Sequence, residues 1–428
     1  MTEPDLNQLT AQPTPPAAPS PQGRFAAFAH RFGLLPVIFI ALPTAAFLWL
    51  EIRPDTFTPI TRAILPMDNA VRAVEGPGEA APDTHLPTPA VVKGIYVSAF
   101  GAGDRRLMGG LIDLVDRTEL NAMVIDIKEG RGELAFRPKS AALQPYAAAK
   151  PALGDLPTFL KPLKEKKIYT IARDFVFQDP TFAERMTQWA VQRQSGGIWR
   201  DRKGIPWLDA GCAEVWKYNV AVAQEAYDAG FDEIQFDYIR FPTDGDLKSM
   251  VFPCFPDSKE KWQQMGEFFS YLDHELRVRR KIPISVDLFG LTMDQADYDL
   301  GIGQRLRDAL PHFDFISPMT YPSHYASGFE GFVNPADHPY EVVRKSMSDG
   351  QRFRAGLQTA TTDGAASASA KLGAFRPWLQ AFDLGAVYDR SKIQAQISAA
   401  MENGASGWLL WNASNRYSAA TLEPEPAK

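Results

Sequence analysis

Between Val91 and Ser418 the chain switches repeatedly between short runs of β-branched and aromatic residues and longer amphipathic stretches. The runs centre on residues 94–100, 122–127, 168–176, 233–241, 283–289, 315–321, 352–359 and 407–411. In the stretches between them, such as 155–167, 213–229, 259–280 and 390–403, Leu, Val, Phe and Ala recur at three and four, the period of a helix with one buried face. Gly230 and Gly404 stand where such helices would close. Strands that each return through a helix pair in parallel and bury both faces. Eight βα units in one stretch of this length predict a (β/α)8 TIM barrel with some long loops. A doubly wound open sheet is the alternative that the same alternation allows.

The flanks read differently. Residues 1–23, rich in Pro, Gln, Thr and Ala, are expected to form a disordered cytoplasmic tail. Arg24, His30 and Arg31 precede an apolar run over 33–50, so residues 24–52 read as a transmembrane signal-anchor with its basic side in the cytoplasm. A cleaved signal peptide is the main rival, although no clean A-x-A site appears near Ala45-Ala46; a buried helix is another. Residues 53–90 form a Pro-punctuated linker, 91–418 the barrel, and 419–428 a second disordered tail. The expectation is a single-pass inner-membrane protein whose barrel lies outside the cytoplasm. Cys212 and Cys254 suit that compartment. Each falls between a strand and the next helix, hence near one face of a barrel. A Cys212–Cys254 disulfide is expected, with two free thiols as the alternative.

Composition excludes some functions. A net charge of -6 and a pI near 5.6 argue against nucleic-acid binding. No Gly-rich phosphate motif or zinc-type cysteine spacing occurs, and the six His show no metal-ligand spacing. Neither a metal nor a cofactor is expected.

Polar residues gather at the strand ends, where a barrel carries its chemistry. The run Phe231–Pro242 ends in Asp237, Tyr238 and Arg240 before Pro242 stops pairing. The second run ends at Asp126, Lys128 and Glu129, the third carries Arg173 and Asp174, and the fifth ends near Asp287. Tyr321, Gln358 and Trp411 close the sixth, seventh and eighth. Alternation along the fourth strand puts Gln235 and Asp237 on one side, facing the axis if Phe236 packs outward. Asp287 shares a side with Ser285. Asp126 and Lys128 also share a side and read as a buried ion pair bracing the barrel. Arg173 and Arg240 read as salt-bridge partners that orient a carboxylate.

Residues 93–97 (KGIYV), 124–129 (VIDIKE), 171–173 (IAR), 231–242 (FDEIQFDYIRFP), 284–287 (ISVD) and 317–322 (SPMTYP) resemble the bacterial "putative glycoside hydrolase" domain family, formerly a domain of unknown function. The resemblance covers essentially 91–417, and its most specific element is FDYIRFP. It departs at Asp174, where the family tends to be apolar, at Gln178, where it tends to have Lys, and at Glu129, where it often has Asp. The resemblance implies a TIM barrel and a polysaccharide or oligosaccharide substrate. In similar barrel glycosidases a fourth-strand Asp is often the nucleophile, a role that falls on Asp237.

Glycoside cleavage uses two carboxyl groups, about 5–5.5 Å apart for retention and about 6.5–9.5 Å apart for inversion. The expected assignment is Asp237 as nucleophile or base, kept ionised by Arg173 or Arg240, and Asp287 as proton donor with Glu129 in reserve. Tyr238, Tyr321, Trp199, Trp207 and Trp411 are candidate sugar platforms, Trp199 and Trp207 from what reads as an exposed loop over 196–211. Arg173, Arg240 and Gln358 complete the expected substrate-binding set. A membrane-tethered barrel that binds glycan without cleaving it is the rival function.

Overall fold

The computed structural model describes residues 85–362 and 371–425. Eight parallel strands form the barrel: β1 (Val92–Val97), β2 (Ala122–Asp126), β3 (Tyr169–Phe175), β4 (Glu233–Asp237), β5 (Ile284–Phe289), β6 (Phe315–Met319), β7 (Trp378–Gln380) and β8 (Gly407–Trp411). Each pairs with its neighbours in chain order, β8 pairs with β1, and Met319 opposite Trp378 joins β6 to β7. The ring is closed, so the open-sheet alternative does not hold.

Residues facing outward from the strands, such as Ile95, Met123, Ala172, Phe236 and Val286, join the helix-facing core. A smaller apolar cluster containing Val92, Tyr96, Val124, Ile171, Tyr321, Trp378 and Leu409 fills the barrel. Gln235 and Asp237 share its side, and Phe236 packs outward, as alternation requires. Lower in the barrel, Glu233 accepts from Arg376, Tyr169 and Ser285, with Arg376 and Glu233 both fully buried. That interior ion pair has hydrogen bonds on both carboxylate oxygens, the condition for tolerating buried charge.

The seventh run is a correction. Residues 352–359 belong to the long helix Pro339–Thr362, where their Ala, Leu, Gln and Arg are good helix formers. The seventh strand lies in 374–380, where Pro377 splits the pairing into Ala374–Phe375 and Trp378–Gln380.

Both flanks of the barrel are packed where they are described. His85 meets the carbonyl of Phe231 at 2.9 Å, Leu86 N–H donates to Asp232 at 2.6 Å, and Thr88 meets Tyr169 at 3.0 Å. These residues, at the end of the expected linker, cross the N-terminal floor of the barrel. At the other end, Leu422 is buried and Glu119 N–H donates to Glu423 O at 2.9 Å, so 419–425 is folded against the domain. Among the described residues no helix is long and apolar enough to cross a membrane. The expected anchor over 24–52 and the tail over 1–23 lie outside them.

Cys212 and Cys254 form a disulfide, 42 residues apart. Asp209 stitches the same corner, accepting N–H bonds from Gly211, Cys254 and Phe255 at 2.7, 2.6 and 3.0 Å. Gly211 is required there, because a Cβ would stand 2.4 Å from Phe255 N. The long segment after β4, one wall of the barrel mouth, is thereby tied to the segment after β3.

Candidate active site

The centre of the mouth is Arg173, which rises from β3 and is 4% exposed. Its Nη1 donates to Asp126 Oδ1 at 2.7 Å, its Nη2 pairs with Asp237 Oδ2, and its Nε lies 3.4 Å from Asp287 Oδ2. Asp126 stands opposite Arg173 in the β2–β3 register, while Asp237 stands opposite Phe175, two residues nearer the mouth. The rings of Trp411 and Phe175 pack over the guanidinium at 4.8 Å each. Burial pulls the Arg173 pKa down, but the carboxylates of Asp237, Asp126 and Asp287 outweigh it and hold the group well above its ordinary value.

The three carboxyl groups differ. Asp126 accepts from Tyr96 Oη at 2.6 Å, and burial raises its pKa against the pull of Arg173. Asp287 is 1% exposed, and its Oδ1 accepts from Gln235 Nε2 at 2.6 Å and Trp378 Nε1 at 2.7 Å. Burial, reinforced by the neighbouring charge of Asp237, pushes Asp287 well above the usual carboxylate range. Asp237 has the most open side chain of the three, at 10%, and its Oδ1 accepts the N–H of Tyr238 at 2.5 Å. Tyr238 takes φ +51°, a left-handed conformation unusual for an aromatic residue, and this turns the chain sharply just after Asp237. Because one guanidinium touches both, the nearest oxygens of Asp237 and Asp287 stand no more than about 8 Å apart.

Above them lies an open cleft of about 1040 Å³, counted with the solvent at its rim. Asp237, Asp287, Arg173, Tyr238, Arg240, Trp207, Tyr321 and Trp411 all line it. The structure therefore brings together most of the expected site residues. Trp199 is elsewhere: it is buried, with Nε1 donating to Asp246 O at 2.9 Å, because residues 196–211 fold back as a packed hairpin loop and not an exposed one. Trp207 is also buried, its Nε1 held by Asp201 Oδ2 at 3.1 Å, and offers the cleft a wall. Gln358 sits on the exposed side of Pro339–Thr362, away from any strand end. Glu129 does not line the cleft; its Oε1 accepts from Ala152 N–H at 3.3 Å in the segment after β2.

Lys128 also differs from expectation. It does not pair with Asp126 but with Asp174 and Asp179, at 2.9 and 3.0 Å, behind β3 beside the helix Ala213–Asp228. Lys128 lies beyond the end of β2, where strand alternation no longer fixes its side. Among the described residues Arg240 pairs with no carboxylate; of the two arginines, it is Arg173 that takes that role.

Three contributors were not legible as site residues. Trp378 was hidden by the misplaced seventh strand. Tyr96 lies in an apolar run that gives no sign of its partner Asp126, and Asp201 acts through a loop contact that spacing does not reveal. His324 also lines the cleft, and burial lowers its pKa to about 4.

Comparison with known proteins agrees with this geometry at the level of fold and family. A hypothetical protein from Ruminiclostridium thermocellum ATCC 27405 is 33% identical over 45% of this chain and 96% of that one, with a TM-score of 0.41. The PgaB (BpsB) glycoside hydrolase domain from Bordetella bronchiseptica is 15% identical over 75% of this chain and 94% of its own, with a TM-score of 0.50. The glycoside hydrolase domain of PelA from Pseudomonas aeruginosa is 9% identical over 77% and 97%, with a TM-score of 0.41. Comparison with curated proteins returned no match. A family described as "Putative glycosyl hydrolase domain" matches residues 94–417, from within β1 through β8 and the turn beyond it, and the chain belongs to that family.

Proposed function

We propose that this barrel hydrolyses O-glycosyl bonds of a cell-envelope or extracellular polysaccharide, with Asp237 and Asp287 as its carboxyl pair. One observation carries the reading: a single buried guanidinium contacts both groups while only Asp237 opens appreciably to the cleft. Asp237, paired with Arg173 and accepting the Tyr238 N–H, acts on the anomeric carbon as nucleophile or as base toward water. Asp287, whose Oδ1 is filled by two N–H donors, carries its proton on Oδ2 and delivers it to the departing glycosidic oxygen. On the nucleophile route the C1–O bond breaks as Asp237 bonds to C1, and water, giving one proton back to Asp287, then displaces Asp237 and leaves the C1–OH. On the base route Asp237 takes the proton of the attacking water, and exchange with solvent returns both groups to their starting states. Tyr321 and Trp411 supply aromatic surface beside the sugar. We further propose that the domain works outside the cytoplasm, tethered through 24–52; the disulfide supports this, since such bonds persist in oxidising compartments.

The test is a screen of purified envelope and secreted polysaccharides for new reducing ends. Asp237→Asn should lower the rate on the order of 10³-fold with an unchanged melting temperature. A variant that keeps full activity removes Asp237 from the mechanism. Tight glycan binding without new reducing ends from the native protein favours a binding barrel.

A further inference from the structure

The cleft holds a second arginine whose chemistry the carboxyl pair does not use. Arg240 follows the strained turn at Tyr238 and is 8% exposed, yet it lines the cleft. Its planar head is fixed from several sides: the ring centroid of Trp207 lies 4.8 Å from Cζ, that of Phe289 5.0 Å and that of Tyr238 5.8 Å. Nη1 is occupied, donating to Phe241 O at 3.1 Å and contacting Thr243 Oγ1 at 3.4 Å. Among the described residues, no carboxylate lies within ion-pairing distance of it. Two acids that line the cleft on this wall, Asp201 and Asp244, have partners of their own. Asp201 Oδ1 accepts the N–H groups of Lys203 and Ile205 at 2.9 Å each, and its Oδ2 accepts from Trp207 and Gln178 at 3.1 and 3.4 Å. Asp244 Oδ1 accepts the N–H of Arg202 at 3.2 Å.

A buried guanidinium without a counter-ion is an expensive arrangement. Burial accordingly lowers the Arg240 pKa, only partly opposed by Tyr238, Asp237, Asp244 and Asp201. Among the described residues, its Nε and Nη2 hydrogens, which form the side-on edge suited to two parallel bonds with a carboxylate, have no protein partner. Asp201 keeps Trp207 in place beneath the cation and so holds that edge in position. We infer that Arg240 is a specificity residue for an acidic sugar, receiving the carboxylate of a uronic acid unit beside the bond presented to Asp237. The inference rests on the glycosidase reading for what the cleft is for, but it concerns binding and can fail independently.

The experiment therefore uses binding in the Asp237→Asn background. Oligosaccharides of galacturonate, glucuronate and guluronate are titrated calorimetrically, each against its carboxyl-reduced neutral counterpart and against a sulfated neutral oligosaccharide. At least one uronate should bind roughly tenfold or more tighter than its reduced form, and Arg240→Gln should erase that difference. Arg240→Lys, which keeps the charge but loses the side-on edge, should retain only part of it, and it serves as the readout if the Gln variant melts early. Equal binding of acidic and reduced forms, a preference that survives both substitutions, or a preference for sulfate alone would each overturn the assignment. Uronate binding that depends on Arg240, with no hydrolysis by the native protein, would leave this inference standing while the catalytic reading fell.

Discussion

Arg173 brings one positive charge to three buried carboxyl groups, and that imbalance sets what the site can do. Full ionisation would leave two uncompensated negative charges where water is scarce, so one group stays protonated at neutral pH. Asp287 is raised furthest, by burial and by the charge of Asp237, and is the natural holder. A group with a raised pKa loses its proton as pH rises through that value, so activity should fall on the alkaline side. Trp378 opposes the shift by donating to the ionised form. Trp378→Phe should therefore move the alkaline limb of kcat/KM to higher pH; an unmoved or lowered limb would separate Asp287 from the acid role. His324, neutral above about pH 4, cannot be the source of a limb near neutrality. Removing the shared cation is a different insult. Arg173→Gln leaves the trio unpaired and should cost about 3–5 kcal/mol in urea unfolding, a loss eased at low pH, where the carboxyl groups are neutral.

At the level of elements, the disulfide and Asp209 tie the segment after β4 to the one after β3, and Arg240, Thr243 and Asp244 stand on that tied wall. A 42-residue loop closed this way contributes about 4 kcal/mol on the chain-entropy account. Reduction, or the double substitution Cys212→Ser with Cys254→Ser, should lower the unfolding free energy by up to that amount and raise KM more than it lowers kcat. Equal stability with and without reductant would show that Asp209 alone holds the corner. The same scale shows what the sequence could reveal. Six of the eight expected runs contain the observed strands and the first overlaps β1 over 94–97, because β-branched runs separated by helix-period stretches leave few ways to bury both. The seventh failed because a proline interrupts a very short strand while a nearby arginine- and leucine-containing segment mimics one. Among site residues, Asp237 and Asp287 were legible from strand alternation. Trp199 and Lys128 were not: their positions depend on how a loop folds back and on what lies beyond a strand's end, neither of which follows from residue spacing.

The whole molecule carries a second kind of pH sensitivity, away from the cleft. Asp294, mostly buried, is raised to about 6 by burial and by Asp349, against the pull of Lys345. Its unfolded-state value is lower, so its favourable contribution is complete below the unfolded pKa and disappears as pH rises through about 6. Asp294→Asn should gain on the native protein by on the order of 2–3 kcal/mol between pH 4 and pH 7.5, since Lys345 keeps Asp349 as a partner. Parallel stability curves for the two proteins over that range would contradict the assignment.

The segment from His85 to Thr88 lies across the floor of the barrel, at the strand ends opposite the cleft. The first described residues are consequently held at one pole while the mouth opens at the other. On the function and tether proposed above, a polysaccharide would reach the cleft and leave it as two fragments on the side away from the incoming chain. The described chain thus enters the fold at the pole opposite its mouth.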